Sequence, residues 1–164
     1  MPISGFDLAM SVVLGVALAA ATGFRVFLPM LVASAAAYTG HLPLDSSFSW
    51  LGTPTALAML GVAALIEVIA YYFPGIDNLL DTIAAPAALV AGTILSAAVM
   101  TELPPIMKWT AAIVAGGGAA GLTQGLTSLL RAKSTIFTGG IGNPVISTAE
   151  FGGALFIPLL ALLA

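Results

Sequence analysis

Residues 55–73 read TALAMLGVAALIEVIAYYF, nineteen positions with one charge, Glu67, set between Pro54 and Pro74-Gly75. A helix of about 20 apolar residues crosses a hydrocarbon core of about 30 Å. Backbone groups in lipid must be satisfied within the segment, so this stretch predicts a membrane helix. Its neighbours repeat the pattern. Downstream, Asp77 is expected to cap a long run from Asn78 to Met100. The sequence Thr-Glu-Leu-Pro-Pro (101–105) then leads into a run from Ile106 to Leu122, extendable to Leu130. A glycine-rich bend (138–143) precedes the last run, Pro144 to Leu163. Upstream, Phe6 to Thr22 and the shorter Val26 to Tyr38 flank the break Thr22-Gly23-Phe24-Arg25. The polar stretch 39–54, with His41, Asp45 and Trp50, reads as a loop.

Composition agrees. Of 164 residues, 60% are hydrophobic and 7% charged, with a mean hydropathy of +1.12. A soluble domain carries about 25% charged residues, so the solvent of this chain is mostly lipid. The fold class expected is all-α integral membrane, a single domain over 1–164, with five to six transmembrane or half-crossing helices. Breaks are expected near 22–29 and 121–125, the second marked by Thr123 and Gln124. The localisation expected is a bacterial inner membrane. The N-terminus lacks a basic n-region, so the first apolar run reads as a retained helix.

A formal net charge of −3 offers no basic face to nucleic acid. Cysteine is absent, which removes disulfides, thiol catalysis and thiolate metal sites. No nucleophile elbow, metalloprotease, phosphate-loop or dinucleotide motif is present, and the single histidine, His41, has no identifiable catalytic partner. The reading is not an enzyme and no cofactor. Arg25, Arg131 and Lys133 fall on one side of a six-crossing bundle and Lys108 on the other, which places the first group in the cytoplasm.

A weak repeat aligns Gly15–Gly40 with Ala115–Gly140, through shared small residues and a terminal Thr-Gly. It suggests inverted halves, 1–76 and 106–164, joined by helix 78–100, the plan in which interrupted helices mark a binding site.

The few charges inside apolar sequence are the candidates for chemistry. An ionised carboxylate at Glu67 costs on the order of 2.5–3.5 kcal/mol in the membrane, so it is expected to face protein or a polar cavity, as an ion or proton site or as a neutral carboxyl bonded to a neighbouring helix. Asp77 and Asp81 share one helix face and repel unless a cation or an arginine lies between them; they are the candidates for any metal. Arg25, at the break, wants a carboxylate from Asp81, Asp77 or Glu67. Pro144 fits a first helical position with Asn143 as its cap, and Ser147 and Glu150 follow on one face. Oxygen donors of this kind suit hard cations or protons.

Three stretches, ATGFRVFLP (21–29), EVIAYYFPGIDNLLDTIAAP (67–86) and TGGIGNPVISTAE (138–150), resemble a family of small bacterial and plastid membrane proteins catalogued as domain of unknown function 4126. The resemblance implies a membrane fold over nearly the whole chain and no activity. The residues themselves point to a small transporter or channel for an ion or small polar solute, with Arg25, Glu67, Asp77, Asp81, Asn143, Ser147 and Glu150 on its path. The competing reading is a non-transporting module, lipid-handling or scaffolding, whose buried charges only pin helices. Expected partners are the lipid bilayer and further copies of the chain, as a dimer or larger homo-oligomer.

Overall fold

The computed structural model describes residues 5–73 and 75–164; the expected stop at Pro74 lies outside the described residues. Helix α1 spans Gly5–Thr22, α2 Phe27–Tyr38, α3 Pro54–Ala70, α4 Ile76–Val99, α5 Pro105–Thr138 and α6 Asn143–Leu163. A 3-10 helix, Ser46–Gly52, lies inside the stretch read as loop. Asp45 opens it by accepting the Ser47 N–H, and Thr53 caps α3 by accepting the Ala56 N–H at 3.2 Å, with Pro54 in the first turn. By length and composition, α4, α5 and α6 can cross a membrane, and α3 becomes a fourth if counted with the 3-10 helix, from which it is bent by 64°. Helices α1 and α2 are apolar but shorter.

The break after Thr22 is where it was expected. Gly23 is required there, because a Cβ would stand 2.4 Å from the Ala120 carbonyl oxygen of α5. The break expected at 121–125 is absent. Residues 118–138 form continuous α-helix, and the irregularity of α5 is a π-helical stretch at Ala112–Gly117. Thr123 hydrogen-bonds back to the Ala119 carbonyl, so its hydroxyl is absorbed by the helix rather than opening it. The two aligned repeat segments therefore fold differently, one broken and one continuous.

The core is a waist of small residues where α1, α4 and the π segment cross. A Cβ on Gly116 would lie 2.5 Å from Ser96 Cβ, and one on Gly92 would lie 2.6 Å from Ala120 Cβ. Such residues let backbones approach where lipid gives no hydrophobic drive. Leu18, Leu95 and Ala88 pack beside them, fully buried. Helices α1 and α4 run antiparallel: Thr22 of α1 bonds to the Ala88 carbonyl of α4, while Gly15 lies against Ser96. This puts Arg25, Tyr71, Asp77, Arg131 and Asn143 at one end of the bundle. At the other, Lys108 Nζ meets Asp45 Oδ2 at 2.6 Å and the Asp45 N–H bonds to Ala98.

Candidate functional site

Arg131 is the hub. It comes late in α5, 1% exposed, on the polar stripe Gln124, Thr127, Arg131, Thr135. Those residues are spaced i, i+3, i+7, i+11 and so share one face. Its guanidinium Nε lies 3.0 Å from Asp81 Oδ2, Nη1 3.9 Å from Asp77 Oδ2, and Nη2 hydrogen-bonds to Glu150. The arginine expected between the two aspartates of α4 is thus Arg131; among the described residues, no group of three or more His, Cys, Asp or Glu could hold a metal ion.

Arg25 enters from the α1–α2 break, also 1% exposed. Its carboxylate partner differs from the three expected. Nη2 lies 3.5 Å from Glu150 Oε2 and donates to the Ser147 carbonyl at 3.1 Å. Glu150 lies on α6, more than 100 residues from Arg25 in sequence. Among the described residues, Arg25 Nε and Nη1 have no hydrogen-bond partner. The ring of Tyr71 lies under both cations, 3.9 Å from the Arg25 guanidinium carbon and 4.8 Å from that of Arg131, a cation–π arrangement that draws two like charges together. Ser147 joins the pieces: it accepts from Arg131 Nη1 at 2.9 Å and donates to the Tyr71 carbonyl at 3.0 Å.

Asp77 sits in the first turn of α4, behind Gly75 at φ +92°. The cap position is Gly75, two residues earlier than expected, yet Asp77 Oδ1 still accepts the Gly75 and Asn78 N–H groups. Asn143 likewise lies inside α6 rather than at its cap, which is Gly142. Its amide is drawn away from capping because it donates to Asp77 Oδ2 and to Thr135 Oγ1.

Glu67 stands apart from this network. One turn before Tyr71 on α3, it accepts the N–H groups of Val26 at 2.7 Å and Phe27 at 2.9 Å. Helix α2 has no cap of its own, so Glu67 supplies one from a neighbouring helix, with its charge against the positive end of the α2 dipole.

Six of the seven expected site residues therefore converge, and Glu67 borders them. Arg131 and Tyr71 were missed. The polar stripe of α5 was the signal for Arg131; nothing in the sequence separates Tyr71 from the adjacent, exposed Tyr72.

The network is sealed on most sides. Asp81 is the exception, its side chain 14% exposed. It lines a groove of about 370 Å³ between α4 and α5, together with Thr82, Leu89, Gly121, Gln124 and Ser128. A second, apolar crevice of about 210 Å³ lies between α3 and α4 and reaches Glu67 and Tyr71.

Neither the curated proteins nor the solved structures contain a match to this chain. The family described as "Domain of unknown function (DUF4126)" matches residues 12–164. The residues of the charged network all fall within that match, and the chain belongs to this family.

Proposed function

We propose that the protein is a small membrane transporter or channel that passes an ion or small polar solute by way of the Arg131 network. The observation that carries this reading is convergence. Six of the chain's eleven charged residues (four basic and seven acidic) gather at one end, and one of them, Asp81, borders an open groove. A buried ion-pair network is a weak source of stability, often no better than well-packed hydrophobic residues. Its presence in so apolar a chain favours a use beyond holding helices together.

Membrane depth is supported by what lies beyond the network. Helix α5 continues about 10 Å past Arg131 at 1.5 Å per residue, and Ile136, Phe137 and Ile141 around its end are strongly exposed. Such a tip suits lipid better than water. On this reading the chain makes six alternating crossings, with α1 and α2 the short ones. The positive-inside argument loses most of its weight, because Arg25 and Arg131 are consumed inside the bundle and Lys108 pairs with Asp45. The packed waist leaves one protomer without a straight path, so movement past the network requires helices to shift or copies to assemble.

The scaffold reading is favoured by one observation, the near-complete burial of Arg131, Asp77 and Glu150. Flux separates the two. In reconstituted vesicles, Asp81→Asn should abolish or strongly reduce uptake or conductance of the permeant ion while the folded protein is retained. Unchanged flux would count against transport, and a folded wild-type protein with no flux for any monovalent ion or proton would favour the scaffold.

A further inference from the structure

The groove between α4 and α5 has a polarity gradient along the bundle axis. Asp81, Thr82, Gln124 and Ser128 line its part nearest the charged end; Ala85, Leu89 and Gly121 line the part toward the waist. Exposed leucines flank it at 122, 126 and 129, as on a surface that meets acyl chains. An amphiphile lying in the groove with its head at the charged end has the orientation of a lipid in that leaflet.

The polar part also selects the head. Gln124 Nε2 donates to Ser128 Oγ at 3.1 Å, which leaves the amide oxygen and the serine hydroxyl for a ligand. Beside them stands the partly exposed carboxylate of Asp81. Three groups able to accept, one of them anionic, call for a cationic hydrogen-bond donor. A primary ammonium meets that need, a quaternary ammonium has no N–H to offer, and an anionic headgroup is repelled. From this charge complementarity, and from the direction of the gradient, we infer that the α4–α5 groove binds a membrane lipid with a primary-amine headgroup, its ammonium against Asp81. This inference does not rest on transport, because it needs only the outer face of the network.

The test is lipid retention by the purified protein, measured by native mass spectrometry from mixed vesicles of ethanolamine-, choline- and glycerol-headed phospholipids in equal parts. Ethanolamine lipid should be retained at least about tenfold better than either of the others, the ratio expected of one charge-assisted hydrogen bond. Asp81→Asn should erase the preference. Because that change also touches Arg131, Gly125→Leu provides an independent arm. A Cβ at Gly125 meets nothing within 4 Å, so a leucine there enters open space rather than the packed interior. It should displace the lipid while the fold survives. Equal retention of the three lipids, an unchanged preference in Gly125→Leu, or a lipid-free dimer that Gly125→Leu dissociates would each overturn the proposal, the last by showing that a second copy fills the groove.

Discussion

At one end of the bundle, Arg131 meets Asp77, Asp81 and Glu150 with its side chain 1% exposed; at the other, Lys108 meets Asp45 alone, at 9% and 16% exposure. Both are charge pairs in a lipid-adapted chain, but they differ in what remains when one member is lost. Without Lys108, Asp45 turns to water and keeps its Ser47 N–H. Without Arg131, three carboxylates face one another, with Arg25 reaching only one of them. Connectivity and burial, more than distance, set the importance of an ion pair, since Lys108–Asp45, at 2.6 Å, is a shorter contact than Arg131–Asp81, at 3.0 Å.

The largest effect is therefore expected at the hub. Arg131→Met should destabilise the fold by about 3–5 kcal/mol, the usual cost of stranding buried charge, read as a fall in the thermal unfolding midpoint in detergent. A loss below about 1 kcal/mol, the range of exposed pairs, would erase the contrast between the two ends.

The waist between them comes next. Gly116→Val drives a Cβ into Ser96 and the α4 backbone, and overpacking of this kind costs about 1–3 kcal/mol. The same unfolding measurement should show it, with little change at Gly118→Ala, where a Cβ meets nothing.

Glu67→Gln keeps the shape of the side chain and removes its charge from the α2 terminus. It should cost about 1 kcal/mol, within the range of helix-dipole interactions. Faster hydrogen exchange at the Val26 and Phe27 amides should localise the loss.

The smallest effect belongs to the far pair. Lys108→Ala should cost less than about 1 kcal/mol. The Lys108 ammonium, and after it the Ser47 N–H, hold the Asp45 carboxyl below its ordinary value of 3.8. A carboxyl lowered on folding contributes stability above its unfolded value and loses it as pH falls through the folded one. The difference in unfolding midpoint between the wild type and Lys108→Ala should therefore shrink as pH falls below about 5. A difference that grows on acidification would assign the pair a different role.

Much of this contrast was legible in the sequence, and the gaps have physical reasons. Apolar length located the six helices, and the break at Gly23 showed itself because a polar cluster interrupts hydrophobic sequence. The break expected at Thr123-Gln124 failed on the same logic: on α5 those polar residues belong to a stripe facing the network, where helical backbone and polar side chains coexist. Arg131 counted only toward orientation, because the fifth apolar run ends at Leu122, or at most at Leu130; the period of the stripe, rather than its hydropathy, held the information. Pairing was the least legible. Arg25 could be matched by charge with any nearby acid, and only the way α6 packs against the α1–α2 break selects Glu150.

The central claim is that a charged network at membrane depth opens outward beside Asp81. The chain has no cysteine, so single-cysteine variants report one position each to a small, charged, membrane-impermeant thiol reagent. Ser128→Cys, in the groove, should react quickly; Leu122→Cys, on the exposed apolar face of the same helix, and Ser147→Cys, inside the network, should react slowly. Equal slowness at 128 and 122 would mean that the groove is dry, and equal speed would mean that α5 lies in bulk water; either result would contradict the account.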